Sequence, residues 1–250
     1  MTRANIAPPA GPAPSPDYGE YVAASAENCP KDAEIRMKFR PTLLALGLGV
    51  IATVASIGAN ADGAIQGNAE NGKKLAYTCH GCHGVENYRN AWPSYDVPRL
   101  GNQNASYLAA ALAEYASGQR SHPTMHAQAT SLSEQDRADI AAYLHAAGVN
   151  PAVEVVGTPP IATQVCVQCH GPNGARTLSG EYPALAGQHA DYLVQALKDY
   201  KSGKRKNPIM AGIIAGVKEQ DFAALADFFS QQRGLCATDQ IRTHGKCDAE

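Results

Sequence analysis

The chain has 250 residues, enough for one or two domains, with 18% charged residues and a formal net charge of -2. That balance supplies no field for holding a polyanion, so charge excludes a nucleic-acid binder. Aromatic residues make up only 6%, too few for a thick core of side chains alone, while 23 Gly and 16 Pro point to many loops and turns.

Residues 1–36 are rich in Pro, Ala and polar residues without a helical period, the composition of a disordered or untranslated stretch. Met37-Lys38-Phe39-Arg40 then opens a secretory pattern. An uncharged apolar run from Leu43 to Ile57 follows, and Ala59-Asn60-Ala61 reads as an A-x-A cleavage site. Met37 is therefore the expected start and residues 37–61 the expected signal peptide. The competing reading is an uncleaved anchor, because Thr42 to Ala61 is a run of 20 uncharged residues, although its Gly and Ala make it a weak span. Either reading exports the remainder to an oxidising compartment, the periplasm, as a soluble or peripherally membrane-associated protein.

Beyond the leader the chain matches itself at an offset of 85 residues (100 to 185). Leu100-Gly-Asn-Gln103 answers Leu185-Ala-Gly-Gln188, and Tyr107-Leu108 answers Tyr192-Leu193. Tyr115-Ala-Ser-Gly118 with Arg120 answers Tyr200-Lys-Ser-Gly203 with Arg205. Pro98 and Pro183, Pro123 and Pro208, and Met125 and Met210 also fall in register. This is a duplicated small domain: first copy 62–148, a Val-, Pro- and Gly-rich linker 149–160, second copy 161–234, and a C-terminal extension 235–250.

Each copy reads as helical. A short helix is expected around Asn68 to Tyr77, with no equivalent in the second copy because Pro159 and Pro160 would break it. Tyr107, Leu108, Ala111, Leu112 and Tyr115 form a helical stripe that ends at Gly118 as C-cap, and Tyr192 to Gly203 repeats it. Ser133, followed by Glu134 and Asp136, caps a last helix running to Gly148, and its repeat is expected from about Lys218 to Gly234.

Cys79-His80-Gly81-Cys82-His83 and Cys166-Val167-Gln168-Cys169-His170 are both CxxCH. Two thiols separated by two residues reach the two vinyl groups of one haem, and the next residue, His, lies beneath the iron as its proximal ligand. A thioredoxin-like disulfide needs no such His, and a zinc site needs further Cys or His at suitable spacing. Two copies in a repeat behind an export leader point to two covalently bound haem c groups, on Cys79 and Cys82 and on Cys166 and Cys169, with His83 and His170 on the irons. Only Met125 and Met210 remain once the leader is removed, and both follow Pro-x in register. They are the expected sixth ligands, against the ordinary reading of Met as core filler. His122 and His126 flank Met125 but have Asn207 and Ala211 as counterparts, so they read as loop or surface histidines. His80, His145, His189 and His244 carry no assignment.

These residues resemble the cytochrome c4 family. The resemblance rests on the two CxxCH motifs, Tyr182-Pro-Ala-Leu-Ala-Gly-Gln188, Tyr200-Lys-Ser-Gly-Lys-Arg205 and the Pro-x-Met, and covers about residues 67–232. It implies an all-α fold of two tandem class I cytochrome c-like domains, each wrapped around one covalent haem. It also implies that the carbonyls of Pro98 and Pro183 orient His83 and His170, which fixes each ring and raises its basicity. The first copy departs from the pattern at Val97-Pro-Arg-Leu-Gly-Asn-Gln103 and along 86–96, and the extension from Leu235 is atypical. In an oxidising compartment its Cys236 and Cys247 are expected to close a short loop as a disulfide.

With His and Met on both irons no position stays open for a substrate, so the expectation is a carrier rather than an enzyme such as a dihaem peroxidase. The resemblance implies single-electron transfer between a quinol-cytochrome c reductase and a terminal oxidase, or alternatively service as the electron-transfer subunit of a dehydrogenase. Lys198, Lys201, Lys204, Arg205 and Lys206 form a basic run in the second copy, whereas residues 62–150 hold six basic against eight acidic residues. The run reads either as a patch steering an acidic redox partner or as a solvated helix end complementing the macrodipole.

Overall fold

The computed structural model describes residues 65–145 and 154–247. The leader, the helix end expected at Gly148 and linker residues 149–153 lie outside the described residues. Asn68 opens the fold: its side-chain oxygen accepts the Asn71 N–H at 3.1 Å and caps helix α1, Ala69–Leu75. Helix α2, Tyr77–His83, carries the first CxxCH. Two short strands follow, β1 (Arg89–Asn90) and β2 (Tyr95–Asp96), paired antiparallel with Arg89 opposite Asp96. Then come α3 (Ala105–Ala116), α4 (Pro123–Thr130) and α5 (Glu134–His145).

The expected cap of α5 forms reciprocally. Ser133 Oγ accepts the Asp136 N–H at 3.1 Å, and the Asp136 carboxylate accepts the Ser133 N–H at 2.9 Å. Helix α1 lies directly on α5. Asp139 holds it there, accepting the Asn68 N–H at 2.7 Å and the Asn71 amide at 2.6 Å. Gly72 sits so close that a Cβ would overlap the Asp139 carbonyl and press Tyr143 Cβ at 2.9 Å, so only glycine permits this approach.

The second copy repeats the plan with fewer parts. A 3-10 turn, Ile161–Val165, directly after Pro159 and Pro160, stands in place of a leading α-helix and runs into α6, Val167–His170. The position equivalent to Asp139 is Ala224, so no carboxylate is available there to dock one. Helix α7 spans Ala190–Ser202 and α8 Pro208–Ala215. Gly118 (φ 73°) and Gly203 (φ 77°) end α3 and α7 in the left-handed region. The last helix of this copy starts later than expected. Lys218 stands where Ser133 caps the first copy and has no side-chain acceptor, so a 3-10 turn, Glu219–Asp221, precedes α9, Phe222–Ser230.

The two cores are built from equivalent positions: Leu108, Ile140 and Leu144 in the first copy, Leu193, Leu225 and Phe229 in the second. The β1–β2 hairpin departs from a purely helical plan and falls in the irregular 86–96 stretch. It clasps the second copy: Arg89 bridges Asp96 at 2.8 Å and Asp191 at 2.7 Å, and the ring of buried Tyr95 lies 6.1 Å from that of Tyr192.

The extension folds back onto the first copy. Gly101 and Cys236 exchange backbone hydrogen bonds at 3.0 and 3.2 Å, and helix α10, Thr238–His244, packs on α2. Cys236 and Cys247 are joined by a disulfide and, with Ile241, enter the same core cluster as Leu108 and Leu144. Among the described residues no helix is long and apolar enough to cross a membrane.

Candidate functional site

Each CxxCH occupies about one helical turn, which sets the two thiols three residues apart on one face. All four thiols are half-buried and unpaired. Burial pushes the Cys79 thiol up and the Cys166 thiol up to about 11, so both stay protonated at neutral pH.

His83 Nδ1 lies 2.7 Å from the Pro98 carbonyl oxygen, and His170 Nδ1 lies 2.8 Å from that of Pro183. A carbonyl only accepts, so Nδ1 carries the proton and Nε2 keeps a free lone pair. Burial drives His83 down to about 4 against the opposing pull of the Pro98 carbonyl, and burial likewise lowers His170. Both rings are therefore neutral at neutral pH, the state in which imidazole binds iron.

Met125 and Met210 each occupy the third position of a helix opened by proline, α4 and α8. The preceding cap fixes each one. The Met210 N–H donates to Asn207 Oδ1 at 3.0 Å, and the Met125 N–H donates to His122 Nδ1 at 3.2 Å. His122 is thus the N-cap counterpart of Asn207, a role hidden in sequence because histidine seldom caps helices. His126 is exposed, its Nδ1 2.8 Å from the Tyr115 carbonyl oxygen.

Three observations fit haem to these residues. Helix α8 reads Pro-Ile-Met-Ala-Gly-Ile-Ile-Ala, yet only Ile214 is buried, while Ile209 and Ile213 stand exposed. Such a helix has apolar surface to offer a hydrophobic macrocycle. Arg120 and Arg205 are both buried, and the Nε of each has no hydrogen-bond partner. Buried cationic donors require acceptors, and haem carries two carboxylates. A zinc site is not assembled, since among the described residues no three His, Cys, Asp or Glu side chains converge.

A family model described as Cytochrome c matches residues 69–148 and 160–232. Cytochrome c4 of Pseudomonas aeruginosa is 30% identical over 205 residues, covering 74% of this chain and 94% of that protein. The chain belongs to the cytochrome c4 family. The crystal structure of reduced recombinant cytochrome c4 from Pseudomonas stutzeri superposes with a TM-score of 0.53 at 28% identity, covering 67% of this chain and all of that one. A thiosulfate dehydrogenase electron acceptor of Stutzerimonas stutzeri is 31% identical over 193 residues, covering 66% of this chain and 88% of that protein. As a cytochrome c4, the protein is a dihaem electron carrier with two class I cytochrome c domains and two haem c groups.

In this cytochrome c4 the domains meet along a short antiparallel bridge between Arg120 and Arg205. The Ser121 N–H donates to the Lys204 carbonyl at 3.2 Å and the Lys206 N–H to the Gln119 carbonyl at 2.9 Å. Arg205 donates to Tyr107 Oη at 2.6 Å and stacks on the Tyr200 ring at 4.6 Å. Arg120 pairs with Glu114 at 2.8 Å and stacks on Tyr115 at 5.0 Å. Burial alone would raise the Tyr107 phenol, but the two guanidiniums outweigh it and hold the phenol below its usual value.

Arg205 is therefore no part of a surface patch, which corrects the reading of the basic run. The sequence signal for this was its register with Arg120, each beside a repeated Tyr. Lys201 donates to the Val217 carbonyl at 2.9 Å, and Lys198, Lys201, Lys204 and Lys206 are all exposed.

Proposed function

We propose that His83 with Met125, and His170 with Met210, are the axial pairs of two haems bound through Cys79 and Cys82 and through Cys166 and Cys169. The observation that carries this reading is the matched support in both domains: a proximal ring held on a proline carbonyl, and a methionine at the third position of a side-chain-capped helix. When bound, haem supplies a one-electron ferric/ferrous couple. The chain's residues hold each imidazole neutral and in one tautomer, and present a soft thioether that favours ferrous iron. With His83 and Met125, and His170 and Met210, holding the two irons, the bound groups would supply electron transfer and leave no position open to a substrate.

In this reading the protein is exported to the periplasm and passes single electrons from a quinol-oxidising complex toward a terminal oxidase. A second reading is an acceptor serving a dehydrogenase, and the similarity to a thiosulfate dehydrogenase electron acceptor favours it. A spectroelectrochemical titration tests the ligand sets. Two one-electron waves and a methionine-to-iron charge-transfer band at the red edge of the ferric spectrum are expected, and absence of the band overturns the assignment. Reduction rates with a quinol-oxidising complex and with a thiosulfate dehydrogenase separate the two partner readings.

A further inference from the structure

Gln103 and Gln188 fall in register in the repeat, and the ligand sets leave both without a part. Both are buried, at 3% and 4% exposure. Each reaches into the opposite domain. Gln103 Oε1 accepts the Ala184 N–H at 2.8 Å while its Nε2 donates to the Ala184 carbonyl at 3.0 Å. Gln188 grips Arg99 the same way, accepting its N–H at 2.8 Å and donating to its carbonyl at 2.9 Å.

The gripped N–H groups have a specific place in the ligand sets. The Ala184 N–H belongs to the peptide group whose carbonyl, that of Pro183, accepts from His170 at 2.8 Å. The Arg99 N–H belongs to the peptide group whose carbonyl, that of Pro98, accepts from His83 at 2.7 Å. Resonance makes each peptide a single planar unit, so a bond at its nitrogen end fixes and polarises its oxygen end.

We propose that Gln103 and Gln188 are reciprocal positioning residues, each holding the peptide group that orients the axial histidine of the opposite domain. The inference rests on His83 and His170 as iron ligands. Each N–H bond to a glutamine oxygen shifts electron density onto the proline carbonyl, and the stronger acceptor raises the basicity of the imidazole. A more basic imidazole favours ferric iron. Each domain thereby holds down the reduction potential of its neighbour's haem as well as adhering to it.

The two roles separate experimentally. Glutamines that serve only as adhesive would, when replaced, weaken the fold and leave both potentials alone or move them together. Gln103→Met keeps the volume and removes both hydrogen bonds to Ala184, together with the bond that Oε1 accepts from the Asn104 N–H at 2.9 Å within its own domain; Gln103→Asn, one methylene shorter, is a second variant should the first not fold. The full dihaem protein is titrated by NMR, with haem methyl resonances assigned to each domain. At fixed applied potential the ferric-to-ferrous ratio of the second-domain haem is expected to fall roughly two- to tenfold, the equilibrium weight of one hydrogen bond. The first-domain haem should stay put, and Gln188→Met should give the mirror result. A shift confined to the variant's own domain, equal shifts in both, or no shift would overturn the inference. If the unsubstituted ferric protein lacks hyperfine-shifted His83 and His170 ring resonances, the ligand assignment itself fails instead.

Discussion

Arg205, from the second domain, donates to the phenol oxygen of Tyr107, from the first, across 2.6 Å, with the arginine buried and the tyrosine half-buried. The same oxygen lies 3.5 Å from Arg120 Nη2, so one hydroxyl serves two guanidiniums that are equivalent in the repeat. Like charges are held together because stacked tyrosine faces and one phenol acceptor surround them.

Removing that acceptor strands buried charged donors. Tyr107→Phe is expected to lower the unfolding free energy of the haem-loaded protein by about 1–3 kcal/mol, the cost of leaving a buried donor unpaired. Denaturant titration measures it, and an unchanged midpoint would mean that water or haem carboxylates take over the bonds.

The axial assignment predicts a partial spectral loss. Met125→His should remove about half of the methionine-to-iron charge-transfer band and lower the potential of one haem, since a second imidazole favours ferric iron more than a thioether does. Visible and near-infrared titration reads both effects. A band of undiminished intensity would place the first iron's sixth ligand elsewhere.

Asp139 makes the docking of α1 acid-sensitive. The Asn68 N–H, then the Asn71 and Gln135 amides, hold its carboxyl below the usual carboxylate value. A group depressed in the folded state contributes stability above its unfolded pKa and loses it as pH falls through the folded pKa. Amide exchange along α1 should therefore accelerate below about pH 4, the ordinary Asp value, while α7 is unaffected. Asp139→Asn, which can still accept one bond, should flatten that pH dependence, and an unaltered profile would assign it to another group.

Gly101 stands where the second domain has Ala186. A Cβ at Gly101 would lie 2.6 Å from Cys236 Sγ and 2.9 Å from Ile241 Cγ1. Gly101→Ala is expected to cost about 1–3 kcal/mol through overpacking and to expose residues 236–247 to limited proteolysis, with the second haem's spectrum unchanged. Equal resistance of variant and parent to the protease would show that the tail can yield without undocking.

The two haem attachment motifs are legible because they are written in contiguous residues: CxxCH is a covalent reach, and the 85-residue register pairs Met125 with Met210 as the candidate sixth ligands. The helices were legible where local chemistry decides them, as with the Ser133 cap. What escaped depends on residues distant in sequence. Arg205 reads as one more cation beside Lys204 and Lys206, and the Tyr200 ring beneath it and the Tyr107 phenol from the other domain take it out of water. Pro159 and Pro160 account for part of the absent leading helix of the second domain, and the missing acceptor at Ala224 acts with them. The β1–β2 strands, two residues each, are too short for alternation to reveal. Nothing near Cys236 indicates that its backbone partner is Gly101.

That last contact reverses the order in which the domains reach completion. Synthesis delivers the first domain's helices well before the second's, and domains generally fold in that order. Here Cys236, Ile241 and Cys247 belong to the first domain's core, so it cannot close until nearly the whole polypeptide has emerged. The second domain draws its core from a continuous stretch and has no such wait. Until the first domain closes, the α2 turn bearing Cys79 and Cys82 lacks the cover that α10 gives it in the folded chain.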